Sequence, residues 1–315
     1  FVNNHTKITF GTKIFELSVN NYVEIVNILR ISQIYMRLPC QTALHNCILL
    51  NLIVPLSVMI QTSNLYFRYR NGSSPVFDNL NIQLEKGGIY GLLGENGVGK
   101  TTFLRLLAGL IFPKHGTVTV NGFTPKNRDP KFLSEIYYFP ENLEVIDKNI
   151  IEYAKLYSPF YPTFSKEYFD YYISEFGVNT KAPVTTLSQG NKKKAAVSFA
   201  LACNTPVLLL DEPTNGLDIP SKTIFRRVLS EAASSEKTII ISTHQVREVE
   251  DIINPIIVME YNQILLNNSI DEIKQKFVDG TLPNNSVVEN DKVNLETLFN
   301  MAVENKNMFK QTFVK

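Results

Sequence analysis

The segment Gly94-Glu95-Asn96-Gly97-Val98-Gly99-Lys100-Thr101, with Thr102 behind it, holds the residues of this chain best suited to chemistry. It matches the pattern G-x-x-x-x-G-K-[ST] in full. Glycines let a backbone wrap tightly and aim successive N–H groups at phosphate oxygens, and a helix beginning at the Lys-Thr pair offers its N-terminal dipole to the same anion. Lys100 is expected to reach the β- and γ-phosphates of a nucleotide, and the hydroxyl of Thr101 to bind Mg²⁺.

A second cluster is Val207-Leu208-Leu209-Leu210-Asp211-Glu212, an apolar strand that delivers two adjacent carboxylates at its C-terminal end. In open α/β sheets ligands bind at that end. Asp211 suits the Mg²⁺ shell, and Glu212 suits a general base that polarises an attacking water. A third is Leu187-Ser188-Gln189-Gly190-Asn191, where Ser188 is a natural helix N-cap and Gly190 lets a phosphate approach the first-turn N–H groups. Asn215-Gly216-Leu217-Asp218 and the lone His244, after the strand pattern Thr238 to Ser242, complete the set.

In that order, and over about residues 61–277, the chain resembles the ATP-binding cassette (ABC) family, in particular bacterial subunits that work with separately encoded membrane subunits. The resemblance implies ATP and Mg²⁺ as cofactors and an ATP-hydrolysing motor that is cytoplasmic and peripheral on the inner face of the cell membrane. It implies a head-to-tail pair, with itself or a related ATPase subunit, in which Ser188 and Gly190 of one chain contact the γ-phosphate held by the other. It also implies an integral membrane permease as partner, with export preferred over import. By the same resemblance His244 hydrogen-bonds the γ-phosphate or positions water, Tyr69 stacks on adenine, and Asp218 organises the dimer interface. Two positions depart from the family pattern. Leu-Ser-Gly-Gly-Gln has become Leu-Ser-Gln-Gly-Asn, and Asn191 is a methylene shorter than Gln for a capping box. Glu141, in Ile136-Tyr137-Tyr138-Phe139-Pro140-Glu141, stands where glutamine is common; its carboxylate can accept from water or bind Mg²⁺. A soluble ABC-type ATPase for remodelling or repair is the rival reading, and a regulatory module without turnover a third.

The elements that position these residues read as an α/β fold. The expectation is a P-loop NTPase core with a mostly parallel sheet, an antiparallel β edge subdomain and a helical insertion. Strands are expected at Ser63 to Arg68, Val76 to Leu84, Ile89 to Leu93, Val207 to Leu210 and Thr238 to Ile241, with Gly72-Ser73-Ser74-Pro75 as a turn. Helices are expected over Thr102 to Leu110, Ser221 to Ala233 and Gln245 to Ile253. Phe164, Tyr168, Tyr172 and Phe176 recur every four residues, as the buried face of an insertion helix or in part as a surface for a partner helix. Residues 59–279 are read as the ATP-binding domain, with the helical subdomain at about 142–203, and 280–315 as a linker and tail with a small helix near Leu295 to Ala302. Ser269 and Glu272 can form a capping box. Residues 1–58 read either as a leader of doubtful origin ahead of Met59 or as an extension with a short helix around Tyr22 to Arg37.

Composition narrows the alternatives. Lys plus Arg number 31 against 30 for Asp plus Glu, and a net charge of +1 makes no electrostatic case for nucleic acid. Cys40, Cys47 and Cys203 have no metal-ligand spacing and no disulfide framework, which suits a reducing compartment. Cys203, in an apolar run, reads as a buried, inert thiol. No apolar run reaches the roughly 18 residues of a membrane span. Lys192-Lys193-Lys194 reads as a solvated helix face.

Overall fold

The computed structural model describes residues 5–10, 13–18, 58–70, 74–143, 147–283, 287–289 and 292–313. Residues 1–55 and 56–315 form two separate compact units. In the first, β1 (His5–Phe10) and β2 (Lys13–Ser18) pair as an antiparallel hairpin. The alternative helix around Tyr22 to Arg37 lies outside the described residues, as do Gly72 and Ser73 of the expected turn.

The second unit opens with β3 (Val58–Phe67), which starts before Met59 and pairs antiparallel with β4 (Phe77–Glu85). In β4, Phe77, Leu80, Ile82 and Leu84 are buried between exposed polar residues, as a strand with one wet face requires. β5 (Ile89–Leu93) is buried throughout and runs into the phosphate-type loop. That loop ends at α1 (Lys100–Leu107). The helix expected to reach Leu110 stops three residues short. Gly109 takes φ +65°, and Leu110 is left half exposed.

β6 (His115–Val120) then pairs with the far side of β3, so the small sheet has the order β4-β3-β6. α2 (Pro130–Glu135) is capped by Asp129, and β7 (Ile136–Phe139) follows directly. α3 (Ile150–Tyr157), α4 (Lys166–Glu175) and α5 (Gln189–Ala202) pack around Phe199, whose ring meets those of Tyr137, Tyr153, Phe164 and Phe169. On α4 the buried stripe is Phe169, Tyr172 and Ile173, continued by Phe176, whereas Tyr168 is exposed. The four-residue spacing drifts around a helix of 3.6 residues per turn, and the observed stripe is its i, i+3, i+4, i+7 correction.

β8 (Val207–Asp211), α6 (Ile219–Ala232), β9 (Thr238–Thr243), β10 (Ile256–Glu260) and β11 (Gln263–Asn268) complete the main sheet, in the order β11-β10-β5-β9-β8-β7. All its pairings are parallel except the β10–β11 hairpin. The helix expected over Gln245 to Ile253 is instead a single 3₁₀ turn, Val246–Glu248, followed by further turns. Val246, Val249 and Ile253 are all buried, which is what gave the segment its helical look, but Val249 at φ −132° leaves helical space. α7 (Ile270–Val278) starts from a complete Ser269–Glu272 capping box. Beyond it Leu282 and Val287 are buried within the otherwise polar stretch. α8 (Leu295–Glu304) and α9 (Lys306–Phe313) then bury Leu298, Ala302, Phe309 and Phe313 against the same core. No helix among the described residues is long and apolar enough to cross a membrane.

Candidate functional site

Three neighbouring parallel strands end on one edge of the main sheet. Leu93 of β5 lies opposite Thr243 of β9, and Ser242 opposite Asp211 of β8. The phosphate-type loop, the Asp211-Glu212 pair and His244 are therefore brought together by register, although they are far apart in sequence. The loop, Glu212 and His244 line a cleft of about 530 Å³ with Tyr69, Thr102 and Glu141 on its walls, and Asp211 lies buried behind Thr101.

The loop has the shape its glycines predict. Gly97 and Gly99 take φ +86° and +114°, and a side chain at Gly97 would point into open space. Gly99 begins α1 without a side-chain cap and with no acidic residue in the first turn, so the N–H groups there are free of competing anions. Lys100 is buried and donates to the carbonyls of Gly94 (2.7 Å) and Glu95 (3.1 Å), with Glu212 Oε1 3.7 Å away. Burial lowers its pKa, and Glu212 and Asp211 pull the other way. Tyr69 stands half exposed at the cleft wall, edge-on to Phe67, and its hydroxyl lies 2.8 Å from that of Thr102.

The two carboxylates have unlike surroundings. Asp211 Oδ1 accepts from the hydroxyls of Thr101 (3.1 Å) and Ser242 (2.6 Å), and Oδ2 accepts from Tyr138 (3.1 Å). Burial pushes the Tyr138 phenol up to about 12, so it remains a donor across the neutral range. Glu212 is 5 % exposed; Oε1 is 2.9 Å from His244 Nδ1, while Oε2 is buried with no hydrogen-bond partner among the described residues. An unpartnered buried carboxylate oxygen beside an uncapped, cationic helix start fits a group bound in the cleft that brings both an anion and a proton donor. A triphosphate with an attacking water meets both requirements, and the hard oxygens of Thr101 and Asp211 fit Mg²⁺.

The remaining expected residues divide between the cleft and its surroundings. Glu141 is exposed at the cleft rim and bonds Asn215 (3.3 Å); no hydrogen bond links it to Thr101 or Asp211 among the described residues. His244 turns Nδ1 towards Glu212 and Nε2 towards Gln245. Ser188 and Gly190 lie outside this cleft at the start of α5. Ser188 is exposed and accepts from the N–H of Asn191 at 3.4 Å, while the Asn191 side chain makes no return bond. Gly190 also has a reason within the chain, since a Cβ there would lie 3.1 Å from the carbonyl of Gly216. Asp218 caps α6 by accepting from Ser221 N–H, and the Ser221 side chain, then that backbone bond and Lys194, hold its carboxyl below the ordinary range. Two residues were missed by sequence reading: Tyr138, whose contact with Asp211 is set only by strand pairing, and Lys193. The latter is 2 % exposed and donates to the carbonyl of Glu212 (2.9 Å), so the lysine run is not wholly a solvated face. Cys203 is fully buried, and burial alone pushes its thiol up.

The ABC transporter family profile matches residues 77–215. The chain is similar to the bacitracin transport ATP-binding protein BcrA of Bacillus licheniformis, at 33 % identity over 70 % of this chain and 73 % of that protein. It is likewise similar to the Nod factor export ATP-binding protein I of Cupriavidus metallidurans, at 31 % identity over 65 % of this chain and 69 % of that one. Among solved structures, an ATP-binding subunit of an ABC transporter shares the fold, with a TM-score of 0.62 at 20 % identity, over 70 % of this chain and 93 % of that chain.

Proposed function

Since the chain belongs to the family of ABC transporter ATP-binding proteins, we propose that it hydrolyses ATP with Mg²⁺ as the motor subunit of a membrane exporter. The observation that carries this reading is the buried, unpartnered Oε2 of Glu212 at the mouth of an intact phosphate loop. Lys100 and the first-turn N–H groups of α1 bind and orient the phosphates, and Tyr69 stacks on the base. Thr101 and Asp211 would hold Mg²⁺, which when bound neutralises phosphate charge and favours transfer to water. Glu212 accepts the proton of that water at Oε2, and His244 holds the carboxylate in place through Oε1.

The position of the exposed Ser188 and the half-buried Gly190 away from their own cleft supports a head-to-tail dimer in which they serve the other chain's nucleotide. A groove of about 410 Å³, lined in part by Tyr138, Leu143, Tyr153 and Ala196, supports docking of a permease helix beside the nucleotide cleft. Phe160 and Tyr168 are exposed on the helical part and suit the same contact. Export is favoured by the likeness to the Nod factor export protein.

The experiment is a steady-state ATPase assay of the native chain and Lys100→Ala, with mass spectrometry of what co-purifies from gently solubilised native membranes. The expected result is turnover lost in Lys100→Ala and a multi-span membrane partner. Turnover with only soluble partners would move the reading to a remodelling ATPase, and absence of turnover would refute both.

A further inference from the structure

Lys193 is the middle residue of Lys192-Lys193-Lys194 on α5, and it alone of the three is fully buried. Lys194 has an acidic partner in Asp218 at 3.6 Å. The Lys193 ammonium has no carboxylate within ion-pair distance among the described residues, and its hydrogen bond goes to a neutral acceptor, the carbonyl of Glu212 at 2.9 Å. An ammonium taken out of water is strongly disfavoured unless its surroundings compensate. Burial accordingly lowers the pKa of Lys193, against the pull of Glu141, Glu212 and Asp211. A buried methylene side chain would fill the same space without that penalty, so the bond to Glu212 is what the ammonium contributes.

That bond falls where the backbone most needs holding. Glu212 takes φ +45°, a conformation that long L side chains rarely adopt and that persists only when neighbours fix it. Its N–H donates to the Ser242 carbonyl (3.1 Å) and to Ser242 Oγ (3.2 Å), and its C=O accepts from Lys193 (2.9 Å) and, within the following turn, more distantly from Asn215 N–H (3.3 Å). The first two bonds come from β9 and fix one side of the peptide. The third comes from α5, the helix whose N-terminus carries Ser188 and Gly190. A rotation of the Glu212 backbone would swing its carboxylate away from His244 and Lys100.

We propose that Lys193 is a positioning residue for the hydrolysis reaction, which by holding the Glu212 carbonyl sets the aim of that residue's carboxylate and ties it to the start of α5. This rests on the ATPase reading given above. The site that α5 presents outward and the base that acts in the same chain's own cleft then move as one piece.

The test compares native protein with Lys193→Met, which keeps the buried stem and removes the donor, and Lys193→Gln, which restores an N–H donor without charge. For each, kcat is read together with the equilibrium dissociation constant of a non-hydrolysable ATP analogue and the thermal midpoint. The expected result is a fall of tenfold or more in kcat for Lys193→Met, analogue binding within twofold of native, and Lys193→Gln within threefold of native kcat. A folded Lys193→Met with kcat within twofold of native overturns the proposal. So does a parallel loss of analogue binding, which marks a merely structural role, or a Lys193→Gln as slow as Lys193→Met. If Lys193→Met is unfolded at the assay temperature, Lys193→Gln decides: kcat within threefold at unchanged affinity supports the proposal, and any larger fall overturns it. A native chain without turnover overturns the ATPase reading itself, whereas an active native chain with an indifferent Lys193 overturns only this inference.

Discussion

Asp211 and Glu212 are chemically near-identical neighbours, and their surroundings separate them. Asp211 accepts from three hydroxyls, those of Thr101, Ser242 and Tyr138, which orient it as a ligand. Glu212 keeps one oxygen tethered to His244 and the other unpartnered, which is the arrangement of a base. Glu212→Gln preserves shape and the ATP-binding loop while removing the basic oxygen. Its turnover is expected to fall by about 100-fold or more, with ATP binding retained and an ATP-dependent dimer accumulating on size-exclusion chromatography. Native turnover in that variant would remove Glu212 from the mechanism. The phosphate loop and the Val-Leu-Leu-Leu-Asp-Glu run were legible in the sequence, because each announces itself locally. Tyr138 and Lys193 were not, since each acts on a residue that only folding brings within reach.

At the scale of elements, legibility followed burial. β5, β8 and β9 are covered on both faces and appear as uninterrupted apolar runs, and their ranges were read to within a residue or two. β6, His-Gly-Thr-Val-Thr-Val, exposes its first half and carries a glycine, so no pattern marked it. That glycine is demanded by packing. Gly116 takes φ +79°, and a Cβ there would sit 2.2 Å from the Asn64 carbonyl of β3. Gly116→Ala is therefore expected to destabilise the protein by about 1–3 kcal/mol or more, read as a lower urea midpoint. An unchanged midpoint would show that the β3–β6 pair yields freely. The segment after His244 teaches the converse. Its apolar spacing promised a helix, but the residues are anchored one by one in turns, and periodicity alone cannot distinguish the two.

For the whole molecule, the second unit builds two hydrophobic clusters, one on each face of the main sheet, and phenols are caught in both. Burial pushes Tyr90 from its ordinary 10.0 up to about 12, and Tyr138 and Tyr172 move in the same direction. In the unfolded chain these groups ionise from about pH 10, whereas in the folded chain they stay neutral to about 12. The unfolded state thus binds fewer protons in that window, and stability must fall as pH rises through it. For Tyr90, which is 3 % exposed, the loss amounts to about 3 kcal/mol. Urea midpoints between pH 9 and pH 12 should decline more shallowly in Tyr90→Phe than in the native chain, and parallel declines would contradict the assignment.

The sequence by itself determined the phosphate loop, the paired carboxylates, the α/β class and the family, because each is written in a short contiguous stretch whose chemistry or hydropathy needs no partner. Only the tertiary structure decided how those stretches meet. The pairing of β5, β9, β8 and β7 places Lys100, His244 and Glu212 around one cleft, gives Asp211 its three hydroxyls and leaves Glu141 at the rim, and the packing of α5 buries one lysine of three beneath Glu212. The physical reason is that strand register and helix rotation are set by the packing of the whole core, and a local pattern carries no record of what lies across it.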